Sequence, residues 1–386
     1  MSYSFGEDEE ITLLRATIRK FALDEIVPYA AQWDEDEEFS PHVTRKMGEL
    51  GLMGTIVDPR YGGQGMSYHS YIVAVEELAF HDGSQAATIA AHNSLGAGPL
   101  YYFGNEEQKR RFLPDLCNGK GLWAFGLTEA EAGSDAQASK TTARYDGLKD
   151  EWVIDGSKLW ITNSACELTK GITVQAVSGT KANGKAELSC FLVPAGTPGL
   201  TQRAMKHKMM WRASNTGELY FDKVRVPSAL MLGKRGQGFA IMMETLDHGR
   251  LSIGAMGLGL AKGALDLSLR YAQQRRTFGQ ALVKHQVIAF KLAEMATRVE
   301  AAENLLYKAC WLKESGQDFA RVAAMAKLYC SEVAEFCARE GQQIFGGYGL
   351  MKEYPIERHY RDAALLRIGE GTSEIQRLVI AKHLGC

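Results

Sequence analysis

The chain has 386 residues, with 44 Lys and Arg against 46 Asp and Glu and a formal charge of −2. That length implies two or three domains, and the near balance of charge argues against a general nucleic-acid or polyanion binder. Seven scattered cysteines without a CxxC pair point to reduced thiols, nine histidines show no metal-ligand spacing, and no apolar run approaches the roughly 20 residues that span a bilayer.

The N-terminal stretch MSYSFGEDEE is acidic and has neither a signal-peptide core nor transit-peptide character, so a cytoplasmic protein is expected, or equally a processed mitochondrial form. Ile11, Leu14, Ile18, Phe21 and Ala22 fall at helical spacing, and Pro28 bends or ends that helix. Pro41 opens a second helix that stops at Gly51. Residues 69–82 and 86–102 continue the helical period, and EEQKRRFLPDLCNGK forms a charged helix closing at Asn118-Gly119.

From about residue 121 the period changes to two. LWAFGLT, EWVIDGSKLWIT, GITVQAV, ELSCFLVPAG and GELYFDKVRVP read as strands, separated by Asp155-Gly156, Asn183-Gly184 and Pro198-Gly199. Short strands without intervening helices indicate a barrel or sandwich. From about residue 236 long helices return, first through Arg275, then over 283–315 and 317–342, with a last one from near Thr372; this pattern reads as an antiparallel bundle. The expected architecture is an N-terminal helical domain (1–121), a middle β-barrel (122–232) and a C-terminal four-helix bundle (233–386).

Several motifs carry two readings each. Glu370 lies between Gly369 and Gly371 in RIGEGTSEIQ, where desolvation would make it a stronger base; the same run also reads as a helix start with Thr372 or Ser373 as cap. Phe125 to Asp135 closes the first strand with small and polar residues suited to a ring edge or phosphate, or forms a plain turn. It is not GxSxG, so a nucleophile elbow is not expected. Trp160 and Thr162 in KLWITN fit the cover of an aromatic cofactor, or a core tryptophan beside a turn. Asp247 and Arg250 fit an anion contact or a helix-surface salt bridge. Gln274 to Gly279 fits a pyrophosphate grip or a dipole-matched helix end, and Gln343 to Gly349 a close backbone approach or a C-cap. Neither this cluster nor Gly257-Leu258-Gly259 fits GxGxxG after a strand, so a Rossmann fingerprint is not expected.

Taken in order, LTEAEAGSD, KLWITN, RRTFGQ, QIFGGYG and IGEGTSEIQR resemble the acyl-CoA dehydrogenase family over essentially the whole chain. The resemblance implies non-covalently bound FAD, an acyl-CoA substrate, a homotetramer, and electron-transferring flavoprotein as electron acceptor. It implies that Phe125, Leu127, Thr128, Gly133 and Ser134 meet the flavin and its ribityl chain, with Trp160 and Thr162 beside the isoalloxazine. It implies that Arg275, Thr277 and Phe278, followed by Leu282, His285 and Gln286, reach the FAD of a neighbouring subunit. Gln343 and Gly347 would contact the adenine-side pyrophosphate, and Thr372 and Glu374 would close over the flavin. Ser134, Asp247, Arg250 and Gly371 match CoA contacts.

Glu370 matches the base that removes the pro-R α-hydrogen as hydride leaves Cβ for flavin N5, giving a trans-2-enoyl-CoA. Its backbone N–H and the ribityl 2′-hydroxyl would hold the thioester oxygen. Some members carry the base just before the arginine matching Arg250; that position here is Gly249. Gly369 stands where straight-chain members commonly have Tyr, implying a branched, cyclic or aryl-bearing acyl group. Ala91 offers no charge for a terminal carboxylate, which leaves Arg212, His92 or Lys208 for that task. The bulky Met210-Trp211 either reshapes the substrate entrance or packs against the barrel. A same-fold flavin oxidase or monooxygenase, or a non-catalytic scaffold, is the alternative.

Overall fold

The computed structural model describes residues 9–386; the acidic stretch before residue 9 lies outside the described residues. The chain runs helix, sheet, helix. The first helices are α1 (Glu9–Glu25), α2 (Ala30–Asp36), α3 (Pro41–Glu49), α4 (Tyr68–His81), α5 (Gly83–Ala91), α6 (Gly98–Phe103) and α7 (Glu106–Cys117). Their starts follow the capping chemistry of the sequence. Ser40 accepts from Val43 N–H with Pro41 as first residue, Ser67 caps α4 and Asp82 caps α5. Asn105 and Gln108 form a reciprocal capping box at α7. Between α5 and α6 the chain makes one π-helical turn, His92–Ala97, a distortion common at functional sites.

The strands are β1 (Leu122–Gly126), β2 (Thr142–Asp146), β3 (Glu151–Thr162), β4 (Thr169–Thr180), β5 (Ala186–Pro194), β6 (Leu200–Ala204), β7 (Thr216–Pro227) and β8 (Met231–Leu232). They form one sheet in the order β6-β7-β3-β2-β4-β5-β8, with β1 added parallel to β4. Phe221 of β7 and Phe191 of β5, four places apart in that order, share a core with Trp152, Ile154 and Val193, so the sheet curls round its own apolar face.

The C-terminal helices are α8 (Gly238–Gln274), α9 (Gln286–Glu314), α10 (Ala320–Phe345), α11 (Ile356–Leu366) and α12 (Ser373–Leu384). Between α8 and α9 lies a small hairpin of β9 (Arg276–Thr277) and β10 (Gln280–Ala281). Helix α11 is an element the sequence reading omitted: it is short, and Arg358, His359 and Asp362 sit among its buried residues, blurring its apolar stripe. The glycines of α8 permit close helix contact. A Cβ at Gly259 would stand 2.2 Å from the Glu76 carbonyl of α4, and one at Gly257 would stand 2.8 Å from the Cys330 carbonyl of α10. One apolar core joins α1, α4, α8, α9 and α10. Trp211 and Met210 belong to that helical core and do not pack into the barrel. Trp211 donates its backbone N–H to Asp362 Oδ1 at 2.8 Å.

Candidate active site

Glu370 lies in the tight turn between α11 and α12, with φ +53. A left-handed non-glycine residue costs about 1–2 kcal/mol, so the surroundings must hold it. They do so from several sides. Ser331 of α10 donates to Leu366 O at 3.0 Å, Ser373 N–H to Arg367 O at 2.9 Å, and Lys327 Nζ to Gly371 O at 2.7 Å. Buried Gln376 adds bonds to Gly371 O at 2.9 Å and Glu370 O at 3.4 Å. Thr372 caps α12 through Ile375 N–H. The helix-start reading and the buried-carboxylate reading therefore both describe this segment: the cap fixes the turn that presents the acid.

Glu370 is half-buried, and its Oε2 is buried with no hydrogen-bond partner. Burial raises its pKa to about 7, against the opposing pull of Lys327 and Arg250. A side chain at Gly249 would collide with it, since a Cβ there would stand 2.0 Å from Oε2. Leu95, from the π-helical turn, lies 3.1 Å from the same point. Among the described residues, no backbone carbonyl accepts from the Glu370 N–H.

Asp247 and Arg250 pair with each other on α8, one turn apart and beside this pocket, and Arg250 Nε is buried without a partner. His248 is no rival base. Burial and nearby Lys313 hold it down to about 3, and its ring is enclosed by Tyr68, Tyr102 and Phe319. Thr372 flanks Glu370, whereas Glu374 is exposed on the first turn of α12. Gly369 is the pocket neighbour with room to spare: a Cβ there would meet only Leu365, at 3.6 Å.

The cofactor-candidate residues of the sheet lie where the loop after β1 meets β3, with Leu159 N–H bonded to Thr128 O at 2.9 Å. At Leu159-Trp160 an extra residue interrupts the β3–β7 ladder, between Lys158↔Leu219 and Ile161↔Gly217. A bulge re-aims the side chain it carries, and Trp160, at φ +57, is 58% exposed instead of buried in the barrel. Phe125 and Leu127 are buried beneath the adjoining loop, and Gly133 faces open space. Among the described residues, the N–H groups of Thr128, Gly133 and Ser134 go to no backbone carbonyl. Free N–H groups beside an exposed indole and the Thr162 hydroxyl suit a flat, polar-edged ring and a polyhydroxy or phosphate chain.

This loop rests on a pair that the sequence reading missed. Lys158, wholly buried, donates to Glu129 Oε1 at 2.7 Å, Leu127 O at 3.0 Å and Ser139 Oγ at 3.3 Å. Burial would raise the Glu129 acid, but Lys158 and three further donors outweigh it and hold the carboxyl at about 2. The available signal was a lysine inside an apolar strand.

The remaining candidates lie elsewhere. Arg275 follows Gly249 by 26 residues of helix, which at 1.5 Å each is about 39 Å. There Arg275 approaches the Tyr348 ring, Thr277 Oγ1 lies 3.1 Å from His285 Nε2, and Leu282 N–H bonds to Arg275 O at 2.7 Å. Phe278 is 97% exposed, and Gln286, Gln343 and Gly347 are exposed with it. The structure thus gathers these residues at one end of the bundle, away from Glu370. The three side chains suggested for a terminal carboxylate are all engaged internally, and burial, which lowers His92 to about 4, keeps its ring neutral. His92 accepts from Trp123 N–H and binds Leu116 O, Lys208 donates to Trp211 O, Ser214 O and Thr216 Oγ1, and Arg212 meets Asp34 and Glu37.

The architecture is a curled sheet between two helical regions, with a carboxylate whose buried Oε2 has no hydrogen-bond partner. Models of the acyl-CoA dehydrogenase N-terminal, middle and C-terminal domains match residues 8–120, 124–224 and 236–385. The chain is 48% identical over 381 residues to a probable acyl-CoA dehydrogenase of Bacillus subtilis, covering 99% of both. It is 45% identical over 372 residues to the mitochondrial short-chain specific acyl-CoA dehydrogenase of Bos taurus, covering 96% of this chain and 89% of that one. Butyryl-CoA dehydrogenase from Megasphaera elsdenii superposes with a TM-score of 0.95 at 39% identity over the full length of both chains. A chain from the work on the electron transferring flavoprotein of Acidaminococcus fermentans gives 0.95 at 39%, covering 99% of both. An acyl-CoA dehydrogenase complexed with FAD from Bacillus anthracis gives 0.92 at 35%, covering 98% of this chain and 68% of that one. The chain belongs to the acyl-CoA dehydrogenase family, an FAD-dependent family of enzymes. Among the described residues, no helix is long and apolar enough to cross a membrane.

Proposed function

We propose that the protein dehydrogenates an acyl-CoA at Cα–Cβ to the trans-2-enoyl-CoA, with Glu370 as the α-proton base. The observation that carries this is the unpartnered, buried Glu370 Oε2 against the bare backbone of Gly249. FAD, when bound, supplies the hydride acceptor and the ribityl hydroxyl. Phe125, Leu127, Thr128, Gly133, Ser134, Trp160 and Thr162 hold its ring and ribityl chain, with Thr372 and Glu374 closing over it. Arg275, Thr277, Phe278, Leu282, His285, Gln286, Gln343 and Gly347 hold the FAD of a neighbouring subunit, which accounts for their exposure in the single chain. Asp247, Arg250, Ser134 and Gly371 bind CoA.

The protein's own part is positioning and charge control. The thioester α-proton is weakly acidic, so the developing enolate oxygen needs donors in place beforehand, and the uncommitted Glu370 N–H supplies one. The carboxylate then takes the proton. A pKa near 7 suits that task, because such a base is both ionised and strong at neutral pH.

The acyl group we infer is short and has room beside the reacting carbons for a branch, a ring or an aryl group, because Gly369 leaves that side open. The electron acceptor is electron-transferring flavoprotein. Anaerobic addition of butyryl-, isobutyryl-, isovaleryl-, cyclohexanecarbonyl- and phenylpropionyl-CoA to the yellow holoenzyme tests this. Rapid bleaching by one short or branched thioester is expected, with slow re-oxidation by oxygen and fast re-oxidation by the flavoprotein. No bleaching by any thioester would overturn the dehydrogenase reading, and rapid oxygen consumption would replace it with an oxidase.

A further inference from the structure

We propose that Lys327 is a positioning residue for this base: its buried ammonium pins the Gly371 carbonyl, fixing the Glu370 turn, and supplies the cationic field that keeps Glu370 ionised. The inference rests on Glu370 being the base. Lys327 is wholly buried on α10, a costly place for an ammonium, and among the described residues its hydrogen-bond partner is a backbone carbonyl and not a carboxylate. Its Nζ bonds to Gly371 O at 2.7 Å. One helical turn on, Ser331 holds Leu366 O at 3.0 Å, so one face of α10 grips both ends of the base turn. Gln376 is the second donor to Gly371 O, at 2.9 Å.

The charged and titratable groups around the carboxylate are few. They are Lys327 from α10, Arg250 from α8, and the Tyr68 and Tyr71 phenols of α4, which burial keeps neutral. Around Lys327 are Glu370, Arg250, and Glu374 at the start of α12. Arg250 is paired with Asp247, and of the two cations Lys327 exerts the larger pull on Glu370. Burial lowers Lys327 to about 8, with Glu370 opposing that fall, so it remains charged where the base must ionise.

The test compares Lys327→Gln, which keeps a donor but loses the charge, with Lys327→Met, which loses both. The readout is anaerobic flavin reduction by the best acyl-CoA across pH. Both variants are expected to move the acid limb up by about one unit, because the nearest opposite charge is gone. That shift slows reduction about fivefold at neutral pH and is recovered by about pH 9. Lys327→Gln then returns to the wild-type rate, while Lys327→Met stays slower because Gly371 O has lost a donor. An unmoved limb in both variants overturns the proposal. So does loss of FAD and of cooperative melting in both, which would make Lys327 a folding residue only. A wild type that no acyl-CoA bleaches would instead strike the functional reading beneath it.

Discussion

At the residue scale the site depends on an empty space and an unpartnered, buried carboxylate oxygen. Gly249 gives Glu370 Oε2 the room a side chain would take. Gly249→Ala adds helix propensity of about 1 kcal/mol, yet displaces the carboxylate. Flavin reduction is expected to fall about 10²-fold, the cost of roughly 1 Å of misplacement, with melting temperature and FAD content unchanged; an active Gly249→Ala enzyme would contradict the placement. Glu370 also has a stability signature. Its folded pKa, about 7, is above the ordinary carboxylate value, so the unfolded chain ionises first and stability is lost as pH rises toward 7. Glu370→Gln should therefore melt higher than wild type at about pH 8 and match it below about pH 4. Equal melting at both pH values would mean that the carboxylate is not desolvated.

At the element scale the proposed flavin contacts depend on the loop after β1, which the buried Lys158–Glu129 pair ties to β3. Removing one partner of such a pair costs about 3–5 kcal/mol, because the other charge stays buried and unpaired. Lys158→Met should lower the melting temperature and lose FAD on gel filtration, while Lys158→Met with Glu129→Leu should recover part of the stability. A double variant that loses as much as Lys158→Met and Glu129→Leu added together would show that the pair is not coupled. Much of this scale was legible in the sequence. Pro41 opens α3, the charged run EEQKRRFLPDLC forms α7, the period of two begins at β1, and Thr372 caps α12. What escaped were features set by tertiary contacts. The π-helical turn carrying Leu95 has ordinary helical composition, α11 hides behind buried charges, and Lys158 reads as a surface lysine until β3 is wrapped. Gly249 appeared in the sequence only as a missing base, whereas its use is the room it leaves.

At the scale of the whole molecule, the proposed FAD contacts fall in two groups set far apart by α8. The end of α8 lies about 39 Å along the helix from Gly249, and Phe278, Val287 and Phe290, which follow it in the chain, are exposed. Apolar exposure of this kind suits an interface, and a partner copy would bring Arg275 and Phe278 to its neighbour's cofactor. If the chain assembles as the proposed tetramer, Phe278→Asp is expected to give smaller species in light scattering and to release FAD, whereas an unchanged assembly with full FAD would contradict the proposal. The central claim, that Glu370 removes the α-proton beside a bound flavin, is tested most directly by anaerobic stopped-flow flavin reduction in wild type and Glu370→Gln over a range of pH. Wild type should accelerate with a midpoint near 7, and the Gln variant, still yellow and still binding acyl-CoA, should be slower by about 10²–10⁴-fold with no such limb. A Gln variant reducing within a few-fold of wild type would contradict it.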